Sequence, residues 1–108
     1  MKTCVIDASV VVDALTGVGK RSGAAREAMV SFDEWLAPHI LDSECLGAWR
    51  AMVVRGILDL DLADLAADEL LHAAVGRLGT WHLSQRIREL WANISPSDAS
   101  YIALAEEH

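Results

Sequence analysis

An α/β domain built on a short, mostly parallel sheet is what this sequence predicts, and three observations predict it. Brief β-branched or aromatic runs alternate with longer helical stretches, the order that builds layered α/β domains. Helix outweighs strand, with only three strand candidates, so the sheet is thin for the helix it carries. The 108 residues, 53 % hydrophobic and 23 % charged, have the length and composition of one globular domain with its own core. No repeat, low-complexity segment or linker divides residues 1–108.

The elements follow in chain order. Residues 3–6 (Thr-Cys-Val-Ile) read as a buried strand that stops at Asp7. Ser9 is placed to cap a helix whose first turns are residues 10–15. Residues 17–23 form a loop carrying Lys20 and Arg21, and residues 24–31 a helix. Residues 34–37 are a brief strand closed by Pro38. A long helix runs from His39 or Ile40 to Arg55, with Gly56 as its stop. Another helix spans residues 61–75, with Gly76 beyond it, and residues 80–83 supply the third strand. The spacing of Ile87, Leu90 and Trp91 predicts a helix over residues 84–92. The last helix covers residues 95–106, with Ser95 as cap and Pro96 at its first position.

Charge and cysteines narrow the function. A net charge of −7 and a pI near 4.8 argue against passive nucleic-acid binding, which relies on Lys and Arg. They leave room for a nuclease, because a bound divalent cation inverts the local charge. Cys4 and Cys45 stand among apolar neighbours without metal-ligand spacing and read as buried free thiols. Asp7 and Asp13 interrupt the apolar N-terminal stretch, which excludes a signal peptide or spanning helix there and points to the cytoplasm.

Three acids sit where a solvated charge is not expected. Asp7 ends a buried strand, the position where open α/β sheets bind ligands, although a helix cap would also explain it. Glu44 shares a helical face with Ile40, Leu41, Gly47, Ala48 and Ala51, so its carboxylate needs a partner or a path to water. In Ser95-Pro96-Ser97-Asp98, Asp98 completes a capping box and suits the helix dipole. Three converging carboxylates would fit Mg2+ or Mn2+, which prefer oxygen, and would serve phosphodiester hydrolysis. No competing set appears: His39, His72, His82 and His108 lack HExxH spacing, and neither a phosphate loop nor a GxSxG elbow is present. Trp35, Trp49, Trp81 and Trp91 read as core or dimer-interface residues. Arg86, Arg88, Glu106 and Glu107 read as surface charges, and Asp13 as solvent-facing or on a site's rim.

Three segments resemble the PIN-domain ribonuclease family, and within it the VapC-type toxins of toxin–antitoxin pairs. They are residues 5–12 (VIDASVVV), residues 37–44 (APHILDSE) and residues 91–106 (WANISPSDASYIALAE). The resemblance implies a three-layer α/β/α sandwich. It further implies an endoribonuclease with a Mg2+ or Mn2+ site made by Asp7, Glu44 and Asp98, with Ser9 as a polar support. RNA would be the substrate, a cognate antitoxin the inhibitor, and a homodimer the assembly. Such domains continue into a further strand and a fourth acid, which this sequence lacks. A C-terminally short sheet with an uncovered edge is therefore expected, along with a weakened metal site. Two other readings stand beside it: a catalytically impaired remnant that only binds antitoxin or dimerises, and a plain α/β domain in which Asp7 and Asp98 are caps. Glu44 tells against the last, since capping does not explain it.

Overall fold

A computed structural model describes residues 3–16, 22–30 and 33–108. Three parallel strands, β1 (Thr3–Val5), β2 (Glu34–Pro38) and β3 (Val75–Leu78), lie in the order β1-β2-β3. In register, Val5 faces Leu36 across the first pair, and Leu36 faces Gly76 across the second. Helices α1 (Ala8–Thr16) and α2 (Ser22–Val30) connect β1 to β2. Helices α3 (Leu41–Val54) and α4 (Leu60–His72) connect β2 to β3. A 3-10 turn (Trp81–Leu83), α5 (Ser84–Leu90) and α6 (Pro96–Glu107) complete the chain.

The helices divide into two packed groups, α1 to α4 in one, and the 3-10 turn with α5 and α6 in the other. Helix α6 lies against β1 and β2. This is the three-layer α/β/α arrangement. Small buried residues on α6, namely Ala99, Ser100 and Ala103, let its backbone come close to the sheet. Ile6, Leu41, Trp49 and Leu70 are almost wholly buried in the core. Burial on this scale contributes roughly 1.5–3 kcal/mol for each aliphatic side chain.

The predicted third strand is corrected. The strand is Val75–Leu78, not residues 80–83, and the helix expected over residues 61–75 ends at His72. Ala73 leaves helical geometry at ψ 140, and the Arg77 side chain takes up the carbonyls that this break exposes. Its guanidinium donates to the carbonyls of Leu70 (2.7 Å), Ala73 (3.1 Å) and Val75 (2.8 Å) and grips both Asp42 carboxylate oxygens. Gly76 masks the strand in the sequence, yet a Cβ there would sit 3.0 Å from the Leu36 side chain on β2. Residues 80–83 cannot reach a strand partner because they close a turn on themselves. Leu83 N–H donates to the Thr80 carbonyl, and the Ser84 hydroxyl to that of Trp81.

Other boundaries move little. Gly56 adopts φ +74 just past α3, the left-handed geometry that stops a helix. Helix α2 begins at Ser22, inside the predicted loop, while Lys20 and Arg21 fall outside the described residues. The expectation of two buried thiols holds for Cys45 but not for Cys4, which is only partly buried on the edge strand β1. The four tryptophans part company: Trp49 is buried and Trp35 intermediate, whereas Trp81 and Trp91 are exposed. No helix among the described residues is long and apolar enough to cross a membrane.

Candidate active site

Pairing between β1 and β2 continues one residue past β1, where Ile6 N–H donates to the Leu36 carbonyl at 2.8 Å. The chain then turns into α1 at Asp7, whose carbonyl accepts from the N–H groups of Val10 and Val11. Asp7 thus starts the helix with its backbone, which leaves the carboxylate exposed at the carboxyl end of β1. Ser9 was expected to cap this helix. It lies within the first turn instead, and its hydroxyl donates to Asp7 Oδ2 at 2.7 Å.

Asp98 reaches the same place from the other end of the chain. Ser95 caps α6 by accepting the Asp98 N–H at 3.1 Å, with Pro96 at the first helical position. The cap occupies the backbone of Asp98, and its side chain stays exposed. Asp7 and Asp98 line one cleft of about 430 Å3, walled otherwise by Val5, Tyr101, Ile102 and Ala105. No basic residue is among those lining groups.

Glu44 is not on that wall but one hydrogen bond behind it. It lies in the first turns of α3, half-buried, and its Oε1 accepts the Tyr101 hydroxyl at 2.6 Å. Tyr101 is 8 % exposed and lines the cleft, so it joins Glu44 to the cavity that holds Asp7 and Asp98. Burial raises the pKa of its hydroxyl most, and the hydrogen bond to Glu44 and the charges of Glu44 and Asp7 raise it further. The proton therefore stays on Tyr101, which acts as donor to Glu44 at neutral pH. Cys45, beside Glu44, is pushed up to about 12, first by burial and then by the charges of Asp42 and Glu44.

Chemically the site is a cleft with two exposed carboxylates, Asp7 bonded by Ser9, and a third acid bonded by a phenol. Among the described residues no three His, Cys, Asp or Glu side chains are grouped to hold a metal ion. Two carboxylates do fit a hard cation that keeps several of its waters. Sequence reading missed Tyr101; the available signal was a hydroxyl-bearing aromatic three residues after Asp98, on the same helical face. Asp13 lies on α1 and is not among the cleft residues. Glu106 and Glu107 are exposed but paired, Glu106 with Arg86 at 2.8 Å and Glu107 with His82 at 2.9 Å. Those bonds lower the pKa of both carboxyls.

No protein-family model matches the chain. Among curated proteins it is similar to Ribonuclease VapC9 of Mycobacterium tuberculosis, with 35 % identity over 102 residues, covering 94 % of this chain and 76 % of that protein. Ribonuclease VapC1 of the same organism is 34 % identical over 112 residues, 97 % of this chain and 79 % of its own length. Ribonuclease VapC3, also from that organism, is 34 % identical over 105 residues, 94 % and 74 % of the two chains.

Proposed function

We propose, from the premise that this chain belongs to the VapC ribonuclease family, that it is a metal-dependent endoribonuclease held in check by a protein antitoxin. The carrying observation is that Asp7 and Asp98, from opposite ends of the chain, line one cleft, with no basic residue among the described residues of its wall. Oxygen donors of this kind suit Mg2+ or Mn2+. When bound, such an ion polarises a phosphodiester and lowers the pKa of a water. Asp7 and Asp98 would hold the ion. The Ser9 hydroxyl keeps the Asp7 carboxylate in one orientation, and Tyr101 sets that of Glu44, the third acid. RNA is the substrate in this reading, and a homodimer in the cytoplasm is the assembly.

A second reading has an observation of its own. Glu44 is engaged by Tyr101, and no three-acid group capable of holding a metal occurs among the described residues, which favours a domain that binds its partner but cuts nothing. Calorimetric titration with Mg2+ and Mn2+, on the wild type and Asp98→Asn, separates the two. The first reading expects ion binding that Asp98→Asn loses, together with RNA cleavage that falls about 100- to 1000-fold in the variant. Equal ion affinity in both proteins would refute it, as would RNA cleavage that survives a chelator.

A further inference from the structure

A second cleft, of about 450 Å3, is lined by Ser84, Gln85, Arg88, Glu89 and Trp91. Trp91 is 58 % exposed, an unusual position for the largest apolar side chain in a small domain. The Arg88 guanidinium lies 5.6 Å from its ring centroid, within cation–π range. Arg88 has no carboxylate partner among the described residues, whereas Arg86 beside it is paired with both Glu89 and Glu106. Apart from Trp91 every lining residue is polar, which suits a base and a phosphate better than the apolar face of a protein partner.

Resting on the ribonuclease reading above, we infer that this cleft is a stacking site for single-stranded RNA, with a base on Trp91 and a phosphate at Arg88. Aromatic side chains bind bases regardless of sequence, because every base has a π face. The Ser84 hydroxyl, whose proton goes to the Trp81 carbonyl, can accept from a base edge, and the Gln85 amide can donate or accept. Such a local device answers a difficulty raised by the composition, since a chain of net charge −7 offers little general attraction to RNA. The site is also fixed relative to the acidic cleft. Arg86 clamps α5 onto α6 through Glu106, and Ile102, one turn before Glu106, lines the acidic cleft. Trp91 and Asp98 are seven residues apart, so no more than about 25 Å separates them even if the chain were extended. A strand of roughly 4–16 nucleotides, the usual span of single-strand sites, can cover both.

The test uses fluorescence anisotropy of a labelled single-stranded RNA, with Trp91→Ala, Trp91→Phe and Arg88→Gln each placed in the Asp98→Asn background to prevent cleavage. Trp91→Ala should raise Kd roughly 5- to 150-fold, while Trp91→Phe restores most of the affinity. Arg88→Gln should lower the slope of log Kd on log salt by about 0.7. In the Asp98-containing protein, Trp91→Ala should raise KM and leave kcat within about twofold, since the acidic cleft is untouched. Unchanged Kd in Trp91→Ala overturns the inference. So does an altered sedimentation mass with RNA affinity intact, which would assign the face to a second copy of the chain. Failure of the wild type to cleave RNA, with Trp91-dependent binding preserved, would instead remove the ribonuclease reading and leave this site standing.

Discussion

At Asp98 the backbone and the side chain have separate tasks. The N–H belongs to the Ser95 cap and the carboxylate faces the cleft, so the capping and metal-site explanations do not compete. Asp98→Asn should accordingly leave thermal unfolding within about 0.5 kcal/mol of wild type, because the cap bond is a backbone bond. Removing the cap itself, by Ser95→Ala, should cost about 1 kcal/mol in urea unfolding. Tyr101→Phe removes the donor to half-buried Glu44. It should destabilise the metal-free protein by about 1.5–3 kcal/mol and lower RNA cleavage about 10- to 100-fold, readable from urea titration and steady-state kinetics. Cys45 adds a pH dependence whose sign is fixed by burial. Its folded pKa, near 12, lies above the ordinary 9.0, so its contribution is complete below pH 9 and fades as pH rises toward 12. From Cys45 alone the unfolding free energy should decline over that window at up to about 1.4 kcal/mol per pH unit. Cys45→Ala should flatten part of the decline, Tyr101 contributing the rest with the same sign.

Among the elements, those with both ends marked were legible from sequence. Helix α3 lies between Pro38 and Gly56, and α6 opens with Ser95 and Pro96, so their extents emerge within a residue or two. Gly56→Ala should cost about 1–2 kcal/mol from backbone geometry alone, since a Cβ there meets nothing within 4 Å. Strand β3 was illegible for a physical reason. Its Gly76 and Arg77 break the apolar pattern, and what holds it is the ladder to β2 and the Arg77 bonds, neither of which is local in sequence. Thr80-Trp81-His82-Leu83 has strand-like composition, but its backbone bonds close within the turn. The acids of the candidate site could be picked out singly, Asp7 by the strand before it and Asp98 by the box around it. Tyr101, which links Glu44 to their cleft, offered only its place three residues past Asp98, because its pairing with Glu44 spans 57 residues.

For the whole molecule, the radius of gyration of 14.3 Å slightly exceeds the ~13 Å typical of a compact chain of this length. Several large apolar side chains on α3 and α4 also remain in water, among them Leu46, Leu62, Leu65 and Leu71. Exposed apolar surface of this kind marks association sites. Sedimentation equilibrium should report a dimer, and the double variant Leu65→Glu, Leu71→Glu should shift it toward monomer with unchanged far-ultraviolet circular dichroism. The Arg77 strap has a consequence for how this molecule opens. One guanidinium ties the end of α4, the connection after it and β3 to Asp42 on α3, so these segments share a single charged donor. Amide hydrogens in the last turn of α4 and along β3 should therefore exchange together, as one cooperative unit, ahead of the buried centre of α3.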